Sequence, residues 1–193
     1  TLTINNAMTS VTPTSSGGTV TSWSIYPALS SGLSFDTSTG TISGTPTAVS
    51  SSAVYTITAT NAGGSGTATV SIQVNDVAPS GVSYSPNSFT LAKDSAMTTA
   101  TPTSTGGTVV SWSVSPTLPA GLSLDTSTGA ISGTPTAISS SATYTIVATN
   151  SGGSATVTVT IQVTVAAPSS ITYSTSSFTL TKDVAITAVT PTS

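Results

Sequence analysis

Apolar and polar residues alternate one by one along much of the chain. Ala155, Val157, Val159, Ile161 and Val163 are separated by Thr156, Thr158, Thr160 and Gln162. Just upstream, Tyr144, Ile146 and Ala148 occupy every second position. A period of two places one set of side chains on each face of a strand, and here one face is apolar. The same period predicts an inward face at Val110, Trp112 and Val114. Leu122 and Leu124, followed by Ile131, flank the polar turn Asp125–Gly129, and Asn150–Ser154 links two alternating runs as a hairpin. Ile171, Tyr173, Phe178 and Leu180 mark a further strand, split by small polar residues. No stretch carries a helical period.

The pattern repeats. Trp23 recurs as Trp112, Asp36 as Asp125, Pro46 as Pro135, Tyr55 as Tyr144 and Pro79 as Pro168, always 89 residues later. Pro13, Pro102 and Pro191 extend the series into a third copy, and Thr1-Leu2 aligns with Thr90-Leu91 and Thr179-Leu180. The chain thus reads as two periods plus the start of another. Its expected divisions are 1–75, a repeat lacking its first strand; 76–164, a complete repeat; and 165–193, the first strands of a third. Each period holds about seven short strands with turns every 8–12 residues. The expected fold is all-β: tandem immunoglobulin-like antiparallel β-sandwiches without disulfides, since there is no Cys.

Composition narrows the chemistry. Only Lys93 and Lys182 are cationic and only five Asp are anionic; Arg, Glu, His and Cys are absent. Charged residues make up 4% of the chain, against roughly 25% in ordinary domains. So neutral a surface cannot compete for phosphate backbones, so no nucleic-acid partner is expected. No apolar run approaches the roughly 18 residues of a membrane span, so no membrane insertion is expected of this segment. A Ser/His/Asp triad, a Cys nucleophile and a zinc site all lack a required residue, and neither enzymatic activity nor a cofactor is expected.

Leu118–Pro135 reads Leu-Pro-Ala-Gly-Leu-Ser-Leu-Asp-Thr-Ser-Thr-Gly-Ala-Ile-Ser-Gly-Thr-Pro, and Leu29–Pro46 is the same motif with Ser30 in place of Pro119. This motif, with the strands that follow it, resembles the signature of the He-PIG immunoglobulin-type repeats, cadherin-like modules of large bacterial and archaeal surface proteins. The resemblance covers essentially the whole of each period. It implies a β-sandwich in an extracellular, cell-surface array with an adhesive or spacing role, and no catalytic residues. Related cadherin-type junctions hold Ca²⁺ with several carboxylates. Here the first junction offers only Asp76, and its counterpart is Val165, so junctional calcium is not expected.

Several residues invite a functional reading and have a simpler one. Asp36 and Asp125 each open a hairpin as an Asx-type turn, with no second carboxylate near in sequence. Trp23, Tyr55, Trp112 and Tyr144 are expected in the cores, where a sandwich of this class buries a central Trp. Lys93-Asp94 and Lys182-Asp183 read as solvated turns and not as isopeptide partners, because no Glu is available as the acid. The outward row Thr156, Thr158, Thr160, Gln162 and Thr164 follows β-propensity and is not an ice-binding grid, because a twisted sheet spoils a flat lattice match. No Asn lies in an Asn-X-Ser/Thr sequon.

The junctions carry Asp76, Pro79 and Pro168, and proline there favours extended, end-to-end stacking of repeats. The expected function is a structural repeat module of an extracellular filament, biofilm fibre or adhesin stalk. It would self-associate head to tail, either as a window of one long covalent array or by strand donation between subunits, with the array window preferred. In the donation version Ile171, Tyr173, Phe178 and Leu180 are the anchors. The alternative is a carbohydrate- or ligand-binding adhesion module recognising cell-surface or matrix glycans. Its loop tips would be Ser15–Gly18 and Asn61–Gly64, with Tyr26 as its best exposed aromatic.

Overall fold

A computed structural model describes residues 1–168 and 170–192. The first repeat forms six strands: β1 (Leu2–Thr3), β2 (Ser22–Tyr26), β3 (Leu33–Phe35), β4 (Ile42–Gly44), β5 (Ser50–Asn61) and β6 (Gly64–Asn75). The second forms eight: β7 (Pro79–Ser83), β8 (Ser88–Ala92), β9 (Thr103–Gly106), β10 (Ser111–Ser115), β11 (Leu122–Leu124), β12 (Ile131–Gly133), β13 (Ser139–Asn150) and β14 (Gly153–Thr164). Among the described residues there is no helix.

In each repeat two 12-residue strands, β5 and β6 or β13 and β14, form a long antiparallel hairpin. Asn61↔Gly64 and Asn150↔Gly153 close the two hairpins with two-residue turns. The hairpin lies at the centre of a four-stranded sheet, in the order β1-β6-β5-β2 in the first repeat and β10-β13-β14-β8 in the second. The short pairs β3–β4 and β11–β12, and β7–β9 in the second repeat only, provide the opposing layer. The expected antiparallel sandwich has one departure. The outer strands β1 and β8 lie beside the last strand of their repeat and run in the same direction, so they pair parallel with β6 and β14.

The two apolar faces meet in one core per repeat. In the second, Tyr84, Trp112, Ile131, Tyr144, Ile146, Ala148, Val159 and Ile161 are buried together. In the first, Ile42, Tyr55, Ile57 and Ile72 form the buried set, with Leu2, Trp23, Ile25 and Phe35 packed against it and only half-buried. The predicted inward face of β10 holds for Trp112 and partly for Val114, but Val110 is exposed. Its N–H bonds to Thr149 O at 2.9 Å ahead of the strand, and Val109 packs on the core in its place.

The tryptophans explain one sequence constraint. A Cβ on Gly129 would stand 2.6 Å from the Trp112 ring, and one on Gly40 2.7 Å from Trp23; both glycines have φ +74°. Only glycine satisfies both the left-handed turn and the ring laid against it. A smaller exchange also has a visible effect. Ser30 Oγ lies 3.3 Å from both Ser50 Oγ and the Tyr55 hydroxyl. Where Pro119 replaces that serine, Ser139 Oγ is buried with no partner.

The tail repeats the beginnings of the pattern. Asn5, Asp94 and Asp183 occupy the same repeat position and share a left-handed φ of 62°, 61° and 65°. Each sits in the same turn: Asn6 N to Thr3 O, Ser95 N to Ala92 O and Val184 N to Thr181 O. Thr172 and Thr192 form an isolated antiparallel bridge, the counterpart of the Ser83↔Thr103 pair.

The larger buried set of the second core and the smaller one of the first should differ in stability. Hydrogen exchange should protect the β13–β14 amides more than those of β5–β6, and urea should unfold the first sandwich before the second. Ile146→Ala should cost about 2–5 kcal/mol in the second transition, by the usual large-to-small penalty, and Ile57→Ala should cost less in the first. Equal protection and equal penalties would show that the smaller buried set does not weaken the first core.

Candidate functional site

The two sandwiches differ at one place. In the second, β7 follows the junction and lies along β9, pairing Pro79↔Gly106, Ser80↔Thr105 and Ser83↔Thr103. It delivers Tyr84 into the core, where the hydroxyl donates to Gly129 O. Burial pushes this phenol up to about 12, so it stays neutral and able to donate. With β7 in place, Trp112 is 6% exposed.

The first sandwich has no strand at the β7 position, and a groove of about 1010 Å³ stands open there. Its walls include Trp23, Ile57, Ala59 and Ala68 on the sheet and the loops Thr14–Ser16 and Asn61–Gly64 at the rim. Trp23, expected to be buried, is only partly so: it packs against the core and also lines this groove. Tyr55 and Tyr144 are buried on the hairpins, away from the groove.

An asparagine marks the rim of each site. Asn150, 8% exposed, donates through Nδ2 to Val77 O at 2.7 Å and to Thr108 O at 3.2 Å. Its Oδ1 accepts from the N–H groups of Gly152 and Gly153. The junction is thereby tied to the hairpin tip of the second sandwich. Asp76 adds to this: its N–H donates to Ser151 Oγ at 2.9 Å, and its carboxylate accepts from Val77 N–H at 2.8 Å. Pro79 is buried at the start of β7, whereas Pro168 is exposed. In the first sandwich Asn61 keeps the bonds to Thr19 O at 3.2 Å and from Gly63 N–H at 2.8 Å. Among the described residues it has no counterpart to the Val77 bond.

The tail anchors Ile171, Tyr173, Phe178 and Leu180 are all exposed and lie outside any strand. Their counterparts Val82, Tyr84, Phe89 and Leu91 pack on the second core. The sequence marked both sets alike. Among the described residues no sheet includes the tail anchors.

The remaining candidates sort by geometry. Asp125 Oδ1 accepts from Ser127 Oγ at 2.6 Å, Ser127 N–H at 2.8 Å and Thr128 N–H at 3.1 Å, and Asp36 repeats this with Ser38 and Thr39. Those donors, the serine hydroxyl first, hold the Asp125 carboxyl down to about 2 and lower that of Asp36. Lys93 and Lys182 each pair with the adjacent aspartate, at 2.6 Å and 2.8 Å, on the surface. Tyr26 is 78% exposed. Among the described residues no group of three or more His, Cys, Asp or Glu is gathered as for a metal, and no helix is long and apolar enough to cross a membrane.

Comparison with known proteins agrees with this architecture. The profile of the family described as "Putative Ig domain" (He_PIG) matches residues 1–75 and 77–166. The serine-rich adhesin for platelets of Staphylococcus aureus is 36% identical over 151 residues, 76% of this chain. The chain spans 6% of that relative's length, and 11% of the homologue from strain MRSA252. Among solved structures, extracellular domains 3–5 of Drosophila OTK superimpose with TM-score 0.50 at 17% identity, covering 84% of this chain and 58% of that one. Murine CEACAM1b gives TM-score 0.50 at 15% identity, covering 84% and 95%. At those identities the likeness is one of fold.

Two outcomes test this geometry. A carboxyl held near 2 when folded, against about 3.9 when unfolded, contributes stability that is complete above about pH 4 and is lost as pH falls towards 2. The melting temperature should fall over that window, and Asp125→Asn should flatten the fall in the second sandwich; an unchanged profile would remove the turn from the acid response. Asn150→Ala leaves the Val77 carbonyl without its donor, at a cost of about 1–3 kcal/mol. It should broaden the distance distribution in small-angle scattering, whereas Asn61→Ala should leave the distribution as it is.

Proposed function

The chain belongs to the "Putative Ig domain" family, and on that premise we propose that it is a structural repeat module of an extracellular filament or adhesin stalk, built by end-to-end stacking of sandwiches. The observation that carries this reading is the junction. Asp76 and Val77 leave β6 at the base of one sandwich and are held by Asn150 and Ser151 at the hairpin tip of the next. A linker bonded to the following module transmits direction along the chain, as a spacer requires. Residues 165–193 then read as the start of a third repeat, supported by the shared turn at Asp183 and the Thr172–Thr192 bridge.

Similarity to a stretch of a staphylococcal adhesin supports a cell-surface setting. The near absence of charge suits a fibre as well, because a neutral surface resists self-association poorly. Continuation of the stack, through one covalent array or by strands exchanged between subunits, is part of the proposal. A carbohydrate- or ligand-binding module is the second reading. It draws on the exposed Tyr26 ring, which has no aromatic counterpart in the second repeat, where Ser115 stands. No catalytic role is proposed.

Electron microscopy of the native assembly should show an axial repeat of about 40 Å, the length of a 12-residue strand at ~3.4 Å per residue. A closed dimer, or a particle without that periodicity, would overturn the stalk reading and favour the ligand-binding one.

A further inference from the structure

Resting on that end-to-end reading, we propose that the second sandwich is built to carry tension along the stalk, with the parallel pair β8–β14 as its clamp. The direction of the load follows from where the chain enters and leaves this sandwich. It enters at the hairpin tip, where Asp76 N–H donates to Ser151 Oγ and the Val77 carbonyl accepts from Asn150. It leaves from Thr164, at the other end of β14. Asn150 faces Gly153 at the tip, so the 12 residues of β14 run from entry to exit. Tension between the flanking segments therefore acts along β14 and not across it.

The first strands of the sandwich lie on that line. Ala78, just before β7, sits against Gly152 and Gly153 at the tip, and β7 packs on β14. β8 continues towards the base, with Ser88 facing Thr160 and Ala92 facing Thr164. Tension draws β8 towards the tip and β14 towards the base. Because the two strands are parallel, that pull slides one along the other and loads the whole ladder at once. An antiparallel first strand would enter beside the exit, and its bonds would open one after another from that end. Thr160 N–H donates to Asn87 O at 2.9 Å and Lys93 N–H to Thr164 O at 2.7 Å, closing the ladder at its two ends. The evenly spaced bonds of a parallel pair lie between them. Phe89 and Leu91 pack on the second core from the same strand, so sliding β8 also draws two apolar side chains out of it.

Lys93 isolates one bond of this clamp. Ser95 N–H returns to Ala92 O at 3.3 Å, and within that turn φ is positive only at Asp94, its third residue. This is the type II pattern, in which proline is favoured at the second residue. Lys93→Pro therefore keeps the turn and removes the backbone donor to Thr164 O. Lys93→Ala keeps the donor, and both variants lose the surface ion pair with Asp94. Comparing the two reads the ladder bond alone.

The test is force spectroscopy of the full chain in optical tweezers, with handles on introduced cysteines, since the sequence has none. Handles at N75C and V165C load the second sandwich along β14. Handles at K93C and V165C pull apart the base ends of β8 and β14 and peel the same pair. At equal loading rate the first geometry should need at least twice the force of the second. Forced unfolding is governed by the unfolding rate and not by equilibrium stability. At constant force in the first geometry, Lys93→Pro should unfold about fivefold faster than Lys93→Ala, the factor for one net hydrogen bond. Ile146→Ala removes core packing from β13 and no bond of the clamp. It should therefore cost more than Lys93→Pro in urea, yet speed unfolding under force less. Equal forces in the two geometries, equal rates for the two Lys93 variants, or a ranking under force that follows the ranking in urea would each overturn the proposal. None of these outcomes alters the axial repeat of the native assembly, so the stalk reading stands or falls on its own measurement.

Discussion

Trp112 lies against Gly129 on one side, where a Cβ would collide with its ring, and the arrival of β7 with Tyr84 seals the core around it. Each of these contacts depends on a different segment: the Asp-Thr-Ser-Thr-Gly turn supplies the glycine, and the strand just past the junction supplies the tyrosine. With 4% charged residues and no cysteine, these sandwiches have no disulfide and little electrostatic support to fall back on. Stability rests on apolar burial between the two layers and on the hydrogen-bond ladder of the long hairpins. Trp23, with no such strand over it among residues 1–75, is only partly buried.

The strand that covers a repeat follows directly from the junction, and the junction is bonded to the tip of the repeat it covers. Covering and linking are therefore one event. At this junction the residues that link the two sandwiches are also bonded to the hairpin tip of the second. The asparagine at each hairpin tip is the fixed part of the mechanism. Asn150 is saturated by four bonds, while Asn61, with the same local loop, keeps fewer. An interaction between neighbouring repeats thus depends on a side chain that also stabilises its own turn.

Period two and the 89-residue offset determined the fold class, the repeat boundaries as a proposal, and the alternation of the long hairpins down to Tyr144, Ile146 and Ala148. These were legible because strand faces and turns are local properties: alternation, glycine and asparagine act within a few residues. The tertiary structure decided what local pattern cannot carry. Val110 alternates correctly and still points outward, because the chain turns before β10 begins. The outer pairs are parallel, because strand direction follows from which sheet edge the chain enters. Trp23 and Trp112 are identical in type and in neighbouring motif, yet only one is buried, because burial depends on a strand far away in sequence. Asn150 looked like an ordinary turn residue; only the fold brings Val77 O within 2.7 Å of its amide. The sequence determined which segments are strands and that they repeat, and the tertiary structure decided which strand covers which core, since coverage is a relation between distant segments and leaves no periodic trace in either one.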